Sequence, residues 1–259
     1  MIDPALETRV ETIAPAVLAE INAALMPLLT AERQARLEAA LATRTRDLTV
    51  VLEDVANEHN GAAVLRTAEA FGFFEVHVIE PDTGRFKISR RISKGTDKWL
   101  DLHKHSETTA AYATLRARGY KIWASTLHGK AVDVHEIPVE GKVALVFGNE
   151  LSGLSQTAIA GADGYFRVPM QGFVESFNIS VAAAISCYDL SLRRRASGRP
   201  VGLEPEDAGR VRAVWLTRAA KSGPQVLQQK GLPIPGFQGH RFAPGAADLE
   251  DPTDEGAGP

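Results

Sequence analysis

Apolar and polar positions follow two rhythms along the chain. VALVF (143–147) is a continuous β-branched and aromatic run bounded by turn residues, the pattern of a strand buried on both faces of a sheet. GNELSG leaves it. A second short run, YFRVPM (165–170), leads into QGFVES, and Ser176 is expected to begin a helix reaching residue 196, where Gly198 and Pro200 act as stop signals. Ala182, Ala183 and Ala184 would let that helix approach its neighbours closely. Upstream, LTVVLEDV (48–55), EVHVIEP (75–81) and YKIWAST (120–126) read as strands, ANEHN (56–60) as a turn, and GAAVLRTAEAFGF (61–73) and 107–118 as helices. This order predicts an α/β fold with a mostly parallel sheet, helices on both faces and right-handed crossovers. The loops after 143–147 and 165–170 then lie at the carboxyl ends of their strands, where open α/β sheets bind ligands.

The flanks keep a helical period. Residues 4–29 place Leu6, Val10, Ile13, Val17, Leu18, Ile21 and Leu25 on one side, which predicts one amphipathic helix broken near Pro15 and Pro27. Thr30 is placed to cap a second helix over 31–43. A helix from about Glu204 to Lys221 and a short segment, VLQQKGLPIP, follow the sheet. The chain therefore divides into a helical N-terminal extension (1–46), an α/β domain (47–198), a helical C-terminal extension (199–242) and a Gly/Ala/Pro-rich acidic tail (243–259) expected to be disordered.

Composition changes this picture only in places. A chain of 259 residues that is 44% hydrophobic can bury a full core. Its single cysteine, Cys187, excludes an internal disulfide and a cysteine-based zinc site, which fits a reducing, cytoplasmic setting. No apolar run approaches the length of a membrane span. The net charge of -3 argues against a nucleic-acid partner only when averaged, because the tail carries five acids between Asp248 and Glu255. Elsewhere cations cluster: Arg33, Arg36, Arg44 and Arg46; the run Arg193, Arg194, Arg195; and a loop over 82–101 with Arg85, Lys87, Arg90, Arg91, Lys94 and Lys98. Local patches of this kind decide phosphate binding.

The familiar cofactor and nucleophile motifs are absent. There is no G-x-G-x-x-G, no phosphate-binding G-x-x-x-x-G-K-[ST], no G-x-S-x-G and no H-E-x-x-H. His59 is expected in a loop, and His103 and His105 fall in a strand or loop without a metal-ligand pattern.

FGNELSGLS (147–155) and VPMQGFVESFNISVAAAI (168–185), preceded by NGAAVLRTAEAFGF (60–73), resemble the three ordered motifs of the SPOUT superfamily of RNA ribose 2'-O-methyltransferases. RTRDLTVVLEDVANEHN (44–60) and KGLPIP (230–235) resemble its bacterial tRNA branch, which methylates the D-loop guanosine at position 18. The resemblance spans about residues 30–240. It implies a deep trefoil knot threading 145–190 through an earlier loop, a homodimer, and S-adenosylmethionine as methyl donor, with tRNA as partner and no metal or membrane. The residues carried over for catalysis are Asn60, Arg66, Glu150, Ser176 and Asn178. Cofactor contacts fall on Ser125, Gly148, Val168, Met170 and Phe177, the last standing where the family more often has leucine. RNA contacts fall on Arg36, Arg44 and Arg194. Two alternatives stay open: a ribosomal-RNA ribose methyltransferase, and a knotted RNA-binding protein without turnover.

Overall fold

The computed structural model describes residues 7–80, 95–127, 129–199 and 202–237. The expected acidic tail and the cations from Arg85 to Lys94 lie outside the described residues. In chain order the elements are β1 (Glu7–Arg9), α1 (Pro15–Leu25), α2 (Ala31–Leu41), β2 (Leu48–Glu53), α3 (Glu58–Ala70), β3 (Glu75–Ile79), β4 (Asp101–His105) and α4 (Thr108–Ala117). They continue with β5 (Tyr120–Ser125), β6 (Val132–Asp133), β7 (Lys142–Phe147), α5 (Gln156–Gly161), β8 (Gly164–Arg167) and α6 (Ile179–Ala196). The chain closes with α7 (Pro205–Ala219), α8 (Gly223–Gln229) and β9 (Ile234–Gly236).

Seven strands form one sheet in the order β4-β3-β2-β7-β5-β8-β6, and each paired ladder is parallel. Every residue of β2 is buried, because helices cover both faces, as parallel sheets require. One face meets α3 and α6 through Val50, Leu52, Val64, Leu65, Leu145, Phe147, Ala183 and Leu190. The other meets α4 and α5 through Val51, Ala111, Leu115, Ile122, Val146 and Ala158. Cys187 is buried in the first of these cores.

The two terminal extensions form a third core together. Leu18, Ile21 and Leu25 of α1 and Leu37 and Leu41 of α2 pack with Val211, Val214, Trp215 and Leu216 of α7. Phe74 joins this layer to the sheet, in edge contact with Phe237 and tilted against Trp215. Arg212 on α7 grips the Glu38 carboxylate of α2 with two bonds of 2.6 and 2.8 Å. Of the helix expected over 4–29 and broken near Pro15 and Pro27, the part before Pro15 is corrected here. Residues 7–9 are a strand paired in parallel with 234–236, and the helix starts at Pro15, where the missing N–H costs nothing. Five further elements escaped the hydrophobic pattern: β4, β6, α5, α8 and β9.

Candidate active site

Parallel strands put all their carboxyl ends on one edge. β2, β7, β5 and β8 are consecutive neighbours, so the segments that follow them stand side by side about 4.8 Å apart at their roots. Ser125 closes β5, Gly148 follows β7, and Val168 and Met170 follow β8, each of them half-buried. The five positions expected to meet a cofactor are thus drawn from adjacent segments, with Phe177 (38% exposed) on the stretch that leads to α6.

Three sequence motifs converge on one carboxamide. Asn57 caps α3 by accepting from the His59 amide at 2.9 Å, which places Asn60 on the first turn of that helix rather than in a turn before it. Asn60 Nδ2 donates to Glu150 Oε1 at 2.7 Å, and Asn60 Oδ1 accepts from Asn178 Nδ2 at 3.2 Å. Asn178 Oδ1 in turn accepts from the Ser180 amide (2.9 Å) and hydroxyl (2.6 Å). That cap starts α6 at Ile179, so the helix expected from Ser176 begins later, with Ser176 exposed on the approach. Arg66 is exposed farther along α3, and no ion pair engages it among the described residues.

The β7 loop is folded on itself. Asn149 and Gly153 exchange amide bonds of 3.0 and 2.9 Å, and a Cβ on Gly148 would lie 2.5 Å from the Gly153 carbonyl, so only glycine fits that approach. Asn149 was missed by motif reasoning. Its Oδ1 accepts from the Leu151 and Ser152 amides and its Nδ2 donates to the Asp54 carbonyl at 2.8 Å. Asp54 holds a left-handed backbone (φ 50°), a conformation Asp tolerates and one that gathers at working sites. The side chains beside this framework stay outward: Leu151 is 98% exposed and Phe173 fully so.

Residues 47–188, more than half of the chain, match the SpoU rRNA Methylase family model. The chain belongs to that family. It is 38% identical over 192 residues to the tRNA (guanosine(18)-2'-O)-methyltransferase of Thermus thermophilus, covering 73% of this chain and 98% of the relative. The Escherichia coli enzyme of the same name is 35% identical over 206 residues, covering 78% and 89%. A crystal structure of the Aquifex aeolicus TrmH/SpoU tRNA modifying enzyme superposes with a TM-score of 0.67 at 31% identity, covering 73% of this chain and 96% of that one.

In this SpoU methylase two of the three arginines expected on RNA are used inside the fold. Arg44 is 3% exposed; it pairs with Glu69 and lies over the Trp215 ring at 5.3 Å. Arg194 is 6% exposed, pairs with Asp47 and donates to the carbonyls of Val139 and Gly141. Burial lowers its tendency to hold a proton. Their sequence neighbours are committed too: Arg46 to Glu75, Asp101 and Asp207, and Arg193 to Asp189 and two carbonyls. Arg36 and Arg195 remain exposed.

His77, His103 and His105 sit in strands, whereas His59, expected in a loop, lies in the first turn of α3. His77 and His103 face one another across β3 and β4 with rings 4.7 Å apart, and His77 Nδ1 lies 3.0 Å from His105 Nε2. Glu75, His77 and His103 bring ligand-type atoms within 4.8 Å of one another. Glu75 already accepts from Arg46, Arg118 and Tyr120, and two guanidiniums at that carboxylate oppose a further cation. We read the group as a buried polar network.

Proposed function

We propose that this SpoU methylase is a tRNA ribose 2'-O-methyltransferase that takes its methyl group from S-adenosylmethionine, acts on the guanosine at position 18 and works as a homodimer. The observation that carries the reading is the bonded chain Glu150–Asn60–Asn178, which joins the three motifs at the edge of the sheet. The names of the relatives, matched over nearly their whole lengths, support the substrate.

The residues present fit the cofactor. Segments after adjacent strands offer backbone groups, and beside them stand exposed Phe173, Val174 and Phe177 and an unobstructed Gly172. Such a surface suits a purine and a sulfonium better than a polyphosphate, which calls for a Gly-rich helix N-terminus. Ser125, Gly148, Val168, Met170 and Phe177 would hold it. When bound, S-adenosylmethionine supplies a methyl group on a sulfonium, open to in-line attack by a ribose hydroxyl.

The remaining work is alignment and charge. A guanidinium keeps its proton in a protein, so Arg66 clamps the phosphate beside the target ribose rather than acting as base, and its field favours the developing oxyanion. Asn60 uses both ends of its carboxamide, so its orientation is fixed, and with it the directions of Glu150 and Asn178. Ser176, exposed on the approach, is placed to bond the target nucleotide. Arg36, with Arg66 and Arg195, supplies exposed positive charge for the RNA backbone.

The dimer rests on α6. Val181, Tyr188 and Leu192 are 43%, 53% and 45% exposed, and their spacing puts them on one stripe of the helix. An apolar stripe on a helix that has already buried its other side against α3 is the mark of an interface. Light scattering should give twice the chain mass for the parent and a single mass for the Tyr188→Asp, Leu192→Asp double variant. A monomeric parent would remove the dimer from the proposal.

The reaction is tested by mapping ribose methylation in total RNA from a strain lacking the gene. The expected result is loss of 2'-O-methylguanosine at tRNA position 18 and its return with a plasmid copy. Intact tRNA methylation, with loss at a ribosomal site, would move the protein to the ribosomal branch.

A further inference from the structure

Glu53 ends β2 as a buried carboxylate, 5% exposed, with no cationic partner among the described residues. Three neutral donors surround it instead. Oε2 accepts from the Ser155 amide at 2.8 Å, and Oε1 accepts from the Ser155 hydroxyl at 2.8 Å and from the Thr108 hydroxyl. Burying a charge is costly unless it is fully hydrogen-bonded, so a carboxylate here needs a reason beyond packing.

What it holds supplies the reason. Residues 149–153 are a closed unit, tied by the paired amide bonds of Asn149 and Gly153 and by the Asn149 side chain. At its near end Asn149 Nδ2 fastens the unit to the Asp54 carbonyl. At its far end Ser155 is fastened to Glu53, 102 residues away in sequence, and the same Ser155 hydroxyl caps α5 by accepting from the Ala158 amide at 3.0 Å. Two consecutive residues at the end of β2 therefore grip both ends of the loop that carries Gly148 and Glu150.

We infer that Glu53 is a positioning residue for methyl transfer: through Ser155 it fixes the β7 loop, and so sets where Gly148 meets the cofactor and where Glu150 meets Asn60. The inference rests on the proposed function for its consequence, and on the hydrogen bonds alone for the tether.

Substitutions separate the tether from bulk packing. Glu53→Gln keeps length and shape; its carbonyl can hold the Ser155 amide while two rotatable hydroxyls turn to accept from its NH₂. Glu53→Asp is one methylene short of the same donors, and Glu53→Ala offers none. A displacement of about 1 Å at a reacting site can cost roughly 10²-fold. Calorimetry with S-adenosylhomocysteine, the demethylated product, should show affinity reduced by about 10-fold or more in Glu53→Asp and Glu53→Ala and within about 3-fold of the parent in Glu53→Gln. Affinity for tRNA should not change. Because Glu53 acts through Ser155, the Glu53→Ala, Ser155→Ala pair should lose little more than Glu53→Ala alone. Amide exchange over 148–155, measured without ligand, should quicken in Glu53→Asp and stay slow in Glu53→Gln. Parent-like product affinity in a folded Glu53→Asp, a Gln variant as poor as Ala, or additive losses in the pair would overturn the inference. If Glu53→Ala does not fold, Ser155→Ala decides it, with the same expected quickening and loss of affinity. If the parent itself does not bind the product, the cofactor reading falls, while quickened exchange in Glu53→Asp still establishes the tether.

Discussion

The layer built from the two chain ends and the carboxyl edge of the sheet have exchanged their expected residues. In and around the terminal layer arginines are inside: Arg44 lies over Trp215 with Glu69 as partner, and Arg46 lies over Phe74 and pairs with Glu75. At the edge, large apolar side chains are outside: Leu151, Phe173 and Val174 face solvent. In the first region Arg44, Arg46 and Arg212 are each answered by a fixed carboxylate, and the gain is a docked layer. In the second, polar groups are fixed by neighbours while apolar groups are left uncovered, which is the arrangement of a surface awaiting ligand and partner. Charge density read along the chain therefore does not separate Arg44 and Arg194, held inside by Glu69 and Asp47, from the exposed Arg36 and Arg195.

Substitutions that act on one region and spare the other sharpen this contrast, and the largest effect belongs to the edge. Arg66→Ala should lower methyl transfer by about 10²–10³-fold, the scale of losing a charged group that stabilises developing negative charge. Its melting temperature should match the parent, and product affinity should stay within a few-fold. Arg66→Lys should also be poor, since one ammonium cannot reproduce a planar fork. A matching loss of cofactor affinity would put Arg66 on the other side of the site.

The inner arginines should show the opposite profile. Arg194→Ala leaves the Val139 and Gly141 carbonyls without their donor and the part-exposed Asp47 without its cation, so it should lose about 1–3 kcal/mol of unfolding free energy in denaturant titration. Cofactor affinity in the surviving folded fraction should be that of the parent. Undiminished stability with weakened tRNA binding would restore Arg194 as an RNA contact.

A smaller effect is set by pH. Burial, with the neighbouring His103 and Arg118, holds His77 down at about 2, and burial beside His77 holds His105 at about 4, against an ordinary 6.5. Glu75, Asp101 and Arg46 complete the surroundings. The unfolded chain then binds protons that the folded chain refuses, so stability is full above the ordinary value and falls as pH drops below it. Each histidine contributes about 1.4 kcal/mol per pH unit until its folded value is passed. His105→Gln should make the fall of melting temperature between pH 6.5 and 4 shallower by one proton. An unchanged slope would mean that His105 is not held neutral.

How far the sequence leads differs between the same two regions. The motif residues at the edge were legible because three ordered motifs resemble those of a known family, and Asn60, Glu150 and Asn178 do meet. Asn178 rather than Ser176 starts α6, a choice between two good caps that only the bond to Ser180 settles. The terminal layer was hidden for another reason. β1 has three residues and pairs with a strand at the far end of the chain, so no local period marks it. β4, DLHKH, carries Asp101 inward to Arg46 and the histidine group, which defeats an apolar pattern. The fate of Arg44 and Arg194 depended on Glu69 and Asp47, acids remote or unremarkable in sequence.

The slightest change tests the edge from its apolar side. Phe173 is fully exposed, so Phe173→Ser should alter the stability of the folded chain by no more than about 0.5 kcal/mol while weakening cofactor binding or dimerisation. A loss of 2 kcal/mol or more by the same titration would show that Phe173 is covered in the folded protein.

The contrast is tested most directly by supplying purified protein with S-adenosylmethionine labelled in its methyl group and with tRNA that lacks ribose methylation, then digesting the tRNA to nucleosides. Label is expected in 2'-O-methylguanosine from position 18, with Arg66→Ala inactive and a partly unfolded Arg194→Ala active in proportion to its folded fraction. No transfer to tRNA by the folded parent, or transfer by Arg66→Ala at the parent's rate, would contradict the assignment of this edge as the catalytic surface.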